Sequence, residues 1–324
     1  MRKIQGEVKM KAENIWLAGI MGVVVGDALG VPVEFSKREE LAEKPVENMR
    51  GYGTYNVPEG TWSDDTSLTL ATLDSLRNGY DLNDIMCKFA EWLETGKYTP
   101  FGNVFDVGIT TEMAIKKFTK TKDAKSCGGR NEDENGNGSL MRILPLCLFL
   151  YEQEKTNGIQ QDEAIKMLHE VSALTHGHIR SQIACGLYYF IVKAILGQMG
   201  SLEERMQQGI DWGFDYYETF LMEKEELAYY ENIRKLKTFG NTDEKYIKSY
   251  GYVVVTLEAA FWCLLNTDNF RECMLKAVNL GSDTDTVAAI TGGLAGWYYG
   301  YEEIPKEWLS VIQQREWIEE MCGK

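Results

Sequence analysis

Apolar side chains recur at helical spacing through most of this chain. Between positions 82 and 93, six apolar residues fall at i, i+3, i+4, i+7, i+8 and i+11, which places them on one face of a helix. Few segments alternate apolar and polar residues as half-buried strands do. The same pattern predicts further helices over Ile15–Leu29, Asp65–Arg77, Val107–Phe118, Asp162–Leu174, Ile179–Leu196, Leu202–Phe220, Val253–Leu265, Phe270–Asn279 and Thr286–Tyr299. The sequence therefore predicts an all-α protein, a compact helical bundle.

The stretches between these helices are polar or contain glycine. Asn78-Gly79, residues 96–103 and residues 123–138 are typical of loops, and no Pro/Ser-rich linker separates parts of the chain. We expect one domain over residues 14–324, preceded by a polar segment over residues 1–13. The run 223–250 is charged and only loosely periodic, which is compatible with a peripheral insertion.

Composition narrows the class of protein. At 324 residues and 44% hydrophobic content, the chain can bury one large core or two modest ones. A formal net charge of -15 argues against duplex nucleic acid or an anionic membrane as partner, because both select clustered Lys and Arg. The seven cysteines show no CxxC spacing and are typical of reduced core residues. Residues 1–11 are charged without a following signal-length apolar run, so we expect a cytoplasmic protein.

Three glycines, Gly22, Gly26 and Gly30, are spaced by four in the first predicted helix. At this spacing they share one helix face, which would allow a second helix to approach closely. A dinucleotide-binding turn is the other interpretation of such a glycine-rich stretch. The stretch lacks the G-x-G start and a preceding strand, so the pattern favours helix packing.

Two short acidic segments stand where a loop meets an apolar helix, namely Ser63-Asp64-Asp65-Thr66 and Asp283-Thr284-Asp285-Thr286. Ser, Thr and Asp are ordinary helix caps, and either segment alone would be interpreted as one. Each segment, however, offers two carboxylates with neighbouring hydroxyls, a set of ligands that suits hard cations such as Mg²⁺ or Mn²⁺. Crowded carboxylates also need positive charge among them to stay ionised. The pair therefore predicts a split metal site.

A turn over residues 136–142 is a further candidate. Residues 133–138 match the first half of a calcium-binding loop, but the twelfth position is Leu144, where a bidentate Glu is required. What remains is a glycine-containing turn before an apolar helix. Its backbone amides suit a phosphate, and an ordinary loop explains the sequence equally well.

Other titratable residues give weaker signals. Glu34 lies between apolar neighbours after Pro32, which predicts partial burial, and a salt bridge to Lys37 or Arg38 would by itself account for it. The three histidines, at 169, 176 and 178, have no zinc spacing. His176 stands at a helix junction, where a cap or a packing role is as common as ligand binding. No grouping of Ser, His and Asp indicates a nucleophilic triad.

Several of these segments form one ordered set. The chain carries, in order, Gly26-Asp27-Ala28-Leu29-Gly30 with Glu34, Trp62-Ser63-Asp64-Asp65-Thr66, Gly136-Asn137-Gly138-Ser139-Leu140-Met141-Arg142, Thr175-His176 and Gly281-Ser282-Asp283-Thr284-Asp285-Thr286. This combination and its spacing, over about Ile15 to Tyr299, resembles the ADP-ribosylglycohydrolase family. The resemblance implies a single compact orthogonal helical bundle that holds two Mg²⁺ or Mn²⁺ ions.

The resemblance also implies roles for individual residues. The metal ligands would be Ser63, Asp64, Asp65, Asp283, Asp285 and Thr286. The catalytic set would be Glu34, Asp65, Asp106 and Asp285. ADP-ribose would lie against Gly136, Asn137, Gly138, Ser139, Met141 and His176. Asp106 looks like the acid that, in the bacterial dinitrogenase-reductase-activating branch, contacts the scissile ribose or its guanidinium; a helix N-cap explains Asp106 equally well.

The implied activity is hydrolysis of the N-glycosidic bond of an ADP-ribosylated substrate, with arginine on a protein as the expected linkage. Two metals can fix the ribose hydroxyls and lower the pKa of a bound water, while Glu34 moves the proton. Two alternatives stay open: a hydrolase of another ADP-ribosyl conjugate or small molecule, and a non-catalytic ADP-ribose-binding member of the family. The intact acidic segments argue against the non-catalytic alternative. The sequence does not indicate the oligomeric state.

Overall fold

The structure is a computed structural model that describes residues 14–197 and 199–323. Within these residues β-structure is limited to two single bridges, Gly129 with His176 and Gly136 with Tyr252. The described chain forms sixteen α-helices: α1 (Ile15–Gly30), α2 (Arg38–Glu43), α3 (Asp64–Leu76), α4 (Leu82–Thr95), α5 (Ile109–Thr121), α6 (Leu144–Thr156), α7 (Gln161–Ser172), α8 (Ile179–Gly197), α9 (Leu202–Phe220), α10 (Lys224–Leu227), α11 (Leu236–Gly240), α12 (Val253–Leu265), α13 (Phe270–Asn279), α14 (Thr284–Tyr299), α15 (Lys306–Val311) and α16 (Arg315–Met321). The all-α prediction is confirmed. The predicted polar segment 1–13 lies outside the described residues.

The predicted helices are present, with ends that differ by a few residues. α3 begins at Asp64 and α14 at Thr284, so both acidic segments occupy first helical turns. α5 begins at Ile109, two residues after the predicted start. Periodicity did not predict α6, which was expected only as an apolar helix of unspecified extent after the turn at residues 136–142. It also did not predict α2, α10, α11, α15 and α16, which have four to seven residues, too few turns to show a helical period.

α1 and α14 pack side by side at the centre of the bundle, and nearly all of both helices is buried. A Cβ atom added at Gly22 would lie 2.0 Å from the carbonyl oxygen of Gly292. One added at Gly26 would lie 2.1 Å from the carbonyl oxygen of Ala288. Only glycine allows two backbones to approach so closely. The packing role predicted for the glycine spacing is confirmed.

By length and composition alone, two helical stretches are apolar enough to cross a membrane, Ile15–Val33 and Ile179–Gly197. They are 89% and 78% buried inside the protein. A helix that is apolar on all sides is expected at the centre of a large bundle. Packing in the core therefore accounts for their composition.

The charged run 223–250 is attached to the bundle by buried side chains. These are Leu227, Tyr230, Ile233, Leu236, Phe239 and Ile247. The guanidinium of buried Arg180 in α8 binds Glu226 at 2.7 Å and lies 3.5 Å from the centre of the Tyr229 ring. The loose periodicity of the run did not predict these anchors, because short helical turns separate them.

Candidate metal centre and active site

The end of α1 brings the two acidic segments together. A Cβ atom at Gly30 would lie 2.3 Å from the Cα of Asp285, so the end of α1 abuts the start of α14. The Thr284 hydroxyl donates to the carbonyl oxygen of Gly30 at 2.8 Å. The Thr286 hydroxyl donates to Oδ2 of Asp65 at 3.2 Å, across 221 positions of sequence. The two segments that the sequence singled out are thus in direct contact.

Asp27, fully buried in α1, holds the first acidic segment in place. Its carboxylate accepts the N–H and the hydroxyl of Ser63, each at 2.9 Å. It also accepts the N–H of Thr66 at 2.9 Å and the Thr66 hydroxyl at 2.6 Å. These bonds satisfy donors at the start of α3 and orient its first turn. Sequence reasoning missed this role; its only signal was a lone acid inside an apolar helix.

The acids in the first turns lack the partners that buried carboxylates need. Oδ1 of Asp65 and Oδ2 of Asp285 are fully enclosed and have no hydrogen-bond donor among the described residues. Burial, and then repulsion from neighbouring acids, holds the pKa values of Asp64, Asp65 and Asp285 well above the usual range. Buried charge without a partner is costly. A divalent cation among these oxygens would remove that cost, so the donor set fits the metal that the sequence predicts.

Glu34 and Asp106 complete the acidic cluster. One side-chain oxygen from each of Glu34, Asp106 and Asp285 lies within 4.8 Å of the others. Burial, with repulsion from Asp106, raises the pKa of Glu34 to about 9. Asp106 is half-buried, and its backbone is left-handed with φ of 51°. The N-cap alternative for Asp106 is wrong, because Gly108 holds the N-cap position of α5.

Tyr55 binds the carboxylate of Glu34, and sequence reasoning missed it because nothing in its loop distinguishes it. The Tyr55 hydroxyl donates to Oε2 of Glu34 at 2.6 Å, and its ring packs 5.0 Å from the ring of Phe105. Burial raises the pKa of Tyr55 well above its usual range, so the phenol stays a neutral donor. The salt-bridge alternative for Glu34 is wrong for Arg38, whose guanidinium donates to three backbone carbonyls instead. Lys37 likewise forms no ion pair with Glu34 in the described chain.

The turn at residues 136–141 lies beside the second acidic segment. The side-chain amide of Asn137 donates to Oδ2 of Asp283 at 2.6 Å. Three backbone amides of the turn donate to no acceptor within the described residues: those of Gly136, Gly138 and Ser139. Unpaired amides close to one another form a site for an anion. The turn therefore suits a phosphate.

The side chains of this region divide between the turn and the core. Ser139 and Met141 are buried, and the Ser139 hydroxyl accepts from the Ser172 hydroxyl at 3.0 Å, so these two face the core. The ring of His176 lies against the turn, since a Cβ atom at Gly138 would be 2.8 Å from its Cε1. Burial, and repulsion from Arg142, lowers the pKa of His176 to about 3. His176 is therefore neutral at physiological pH.

Comparison with known proteins agrees with this geometry. The family model described as ADP-ribosylglycohydrolase matches residues 10–324. The ADP-ribosylarginine hydrolase Tri1 of Serratia proteamaculans (strain 568) is 32% identical over 305 residues, 94% of this chain and 76% of that protein. The ADP-ribosyl-[dinitrogen reductase] glycohydrolase of Rhodospirillum rubrum is 29% identical over 309 residues, 92% of this chain and 90% of that protein.

A solved structure described as an ADP-ribosylglycohydrolase-related protein complex has a TM-score of 0.74 and 29% identity, and covers 95% of both chains. Metal dependence is general to the family, and the buried acidic cluster gives this chain the oxygen donors for it. The match to the family model includes α1, with its glycines at 22, 26 and 30, and the second acidic segment on α14. The chain is a hydrolase of ADP-ribosyl substrates and belongs to the ADP-ribosylglycohydrolase family.

Proposed function

We propose that this protein removes ADP-ribose from arginine side chains of proteins by hydrolysis of the N-glycosidic bond, with two Mg²⁺ or Mn²⁺ ions at the acidic cluster. The observation that carries the proposal is the convergence of Glu34, Asp106 and Asp285 within 4.8 Å, beside carboxylate oxygens that lack donors. The arginine linkage is supported by the relative whose name states that activity.

The metal ligands in this proposal are Ser63, Asp64, Asp65, Asp283, Asp285 and Thr286. All six offer oxygen, as hard divalent cations prefer. The Ser63 hydroxyl donates its hydrogen bond to Asp27, which leaves the lone pairs of the Ser63 oxygen available to a cation. Cations bound there supply charge for the ribose hydroxyls and lower the pKa of a water.

Glu34 is the proposed acid–base group. Its carboxylate is held by the Tyr55 hydroxyl and lies within 4.8 Å of the Asp106 and Asp285 oxygens. Cations at the neighbouring acids would lower the pKa of Glu34 and keep its carboxylate ionised. The ionised Glu34 accepts a proton from the attacking water as the water oxygen bonds to the anomeric carbon, and the bond from that carbon to the guanidine nitrogen breaks. Glu34 then returns the proton to the departing guanidine. The products are ADP-ribose and unmodified arginine.

Asp106 and the 136–141 turn position the substrate in this proposal. A half-buried carboxylate at Asp106 suits the cationic guanidinium of an ADP-ribosylated arginine. The unpaired amides of the turn suit the diphosphate, and Asn137 couples the turn to Asp283. The two halves of the substrate would thus be held on either side of the acidic cluster.

A substrate panel tests the proposal. Purified protein is incubated with an arginine-ADP-ribosylated protein, a serine-ADP-ribosylated peptide and a small ADP-ribosyl ester, with Mg²⁺, with Mn²⁺ or with EDTA. We expect free ADP-ribose from the arginine conjugate only, and none in EDTA. Release from the serine conjugate or the ester, with the arginine conjugate intact, would overturn the linkage.

Single-acid variants test the site. Asp64→Asn and Asp285→Asn are each expected to abolish ADP-ribose release while circular dichroism shows unchanged helicity. Glu112→Gln is a matched control, because the Glu112 side chain on α5 is partly exposed and, among the described residues, its ion pair is with Lys116. Full activity in both site variants would show that the acidic cluster is not the catalytic centre.

A further inference from the structure

A fully buried arginine lies behind His176 without a carboxylate partner among the described residues. Arg142 is 0% exposed, and its guanidinium stacks 4.6 Å from the centre of the Phe89 ring. Nη2 donates to the carbonyl of Val171 at 3.2 Å and to the hydroxyl of Thr175 at 2.8 Å. Burial lowers the pKa of Arg142 to about 10, so the group remains a cation at neutral pH. A buried cation of this kind needs a reason beyond packing.

The Thr175 hydroxyl connects this cation to the imidazole of His176. Its oxygen lies 2.8 Å from Nη2 of Arg142 and 2.9 Å from Nδ1 of His176, and Thr175 is fully buried. Arginine can only donate, so the hydroxyl accepts from Arg142. If Nδ1 also donated, the hydroxyl proton would be left without an acceptor among the described residues, at the cost of an unsatisfied buried donor. Nε and Nη1 of Arg142 have no partner among the described residues in either arrangement, so they do not distinguish the two. The arrangement that leaves neither the hydroxyl proton nor Nδ1 unpaired has the Thr175 hydroxyl donating to Nδ1.

An acceptor at Nδ1 places the proton of the neutral ring on Nε2. Nε2 faces the turn: it is 3.4 Å from the position a Cβ atom would take at either Gly136 or Gly138. No described residue accepts a hydrogen bond from Nε2, and Nε2 is not among the fully enclosed polar atoms without a partner. The ring therefore presents a free N–H donor beside the unpaired amides of the turn.

We infer that Arg142 and Thr175 are positioning residues that fix His176 as its Nε2–H tautomer, so that the turn and the imidazole together offer one set of N–H donors to an anionic oxygen. The inference rests on the proposed function only in identifying that anion with the diphosphate of ADP-ribose. The wrong tautomer would put a lone pair of Nε2 against a phosphate oxygen and repel it.

Nuclear magnetic resonance of the histidine side chains tests the tautomer without any ligand. Nitrogen-15 shifts are recorded between pH 6 and pH 8 and assigned with His169→Gln and His178→Gln, since the chain has three histidines. We expect His176 to show an unprotonated Nδ1 and a protonated Nε2 throughout. Thr175→Val should lose this pattern, Thr175→Ser should keep it, and the buried threonine control Thr72→Val should leave it unchanged. A proton on Nδ1 of the parent protein, or an unchanged spectrum in Thr175→Val, would overturn the inference.

Binding of ADP-ribose, measured by calorimetry in Mg²⁺, supplies the functional readout. One lost hydrogen bond to a charged group corresponds to roughly tenfold weaker binding, which is the expectation for Thr175→Val and for Arg142→Met. Thr175→Ser should bind within about twofold of the parent. Equal affinity in parent and Thr175→Val would refute the positioning role. If the parent shows the stated tautomer and binds inorganic phosphate but not ADP-ribose, the positioning role is supported and the proposed function is contradicted.

Discussion

Substitution of Gly26 by alanine tests whether close contact between α1 and α14 builds the acidic cluster. A Cβ atom at Gly26 would lie 2.1 Å from the Ala288 carbonyl oxygen and 2.5 Å from its carbon. Ordinary contact begins near 3.4 Å, so the two helices must separate by about 1.3 Å at this point. Both obstructing atoms are backbone, so no change of side-chain rotamer can relieve the clash.

The expected cost follows from two opposing effects. Overpacking a core costs about 1–3 kcal/mol, and a backbone clash falls at the upper end. Alanine recovers about 1 kcal/mol through its higher helix propensity. We therefore expect Gly26→Ala to lower the free energy of unfolding by roughly 2 kcal/mol, and the melting temperature by roughly 3 °C for a chain of this size. A displacement near 1 Å between Glu34 and Asp285 would also reduce turnover about 100-fold.

Differential scanning fluorimetry and an ADP-ribose release assay measure the two effects. Gly197→Ala is the matched control, because Gly197 is also helical but, among the described residues, a Cβ atom there would meet the Tyr151 side chain at 3.6 Å or more. The control should melt at or slightly above the parent temperature and keep full activity. Equal stability and turnover in Gly26→Ala and the parent would refute the claim that this close approach holds the site together.

Three further predictions concern the acids. Burial raises the pKa of Glu34 from 4.5 to about 9, so protonation stabilises the metal-free fold fully below pH 4.5 and this stabilisation is lost as the pH rises towards 9. The free energy of unfolding measured in EDTA should therefore fall by up to about 1.4 kcal/mol per pH unit between pH 6 and 9. Mg²⁺ or Mn²⁺ should reduce this dependence on pH. The same dependence with and without metal would contradict the prediction. Asp65→Asn places an amide near the unpaired Oδ1 position, so the metal-free protein should melt higher while the stabilisation by Mn²⁺ disappears; retained stabilisation by Mn²⁺ would argue against Asp65 as a ligand. Tyr55→Phe removes the hydrogen bond to Glu34 but keeps the ring beside Phe105, so kcat should fall about tenfold with little change in KM, whereas the exposed Tyr52→Phe in the same loop should be silent.

The long helices could be predicted from the sequence. A helix that buries one face repeats apolar residues at a fixed interval, and a helix that buries all faces is apolar throughout. The glycine spacing at 22, 26 and 30 predicted close packing without naming the partner helix. The short helices and the anchors of the run 223–250 were not predicted. Their apolar positions are set by contacts distant in sequence, such as buried Tyr230, whose hydroxyl donates to the backbone carbonyl of Arg180, and no local pattern encodes such contacts.

The acidic segments could be found in the sequence because each concentrates more carboxylates than a helix cap needs. The roles of Asp27 and Tyr55 could not be predicted from the sequence, since a single acid in an apolar helix and a tyrosine in a polar loop have many ordinary explanations. Their roles depend on where α1 and the loop 51–57 lie relative to α3 and Glu34. For Glu34 and Asp106, sequence reasoning left a salt bridge and an N-cap open, and only the observed partners excluded them.

The sequence by itself determined the helical class, the family and the identity of the acids, because periodicity and local motifs are properties of neighbouring residues. The tertiary structure decided which acids meet, which carboxylate oxygens are left unpaired, and that Arg142, Thr175 and His176 lie within hydrogen-bond distance of one another in series. The physical reason is that burial and charge depend on distances across the fold. Thr286 contacts Asp65 at the end of the bundle where the glycines at 22, 26 and 30 let α1 lie against α14.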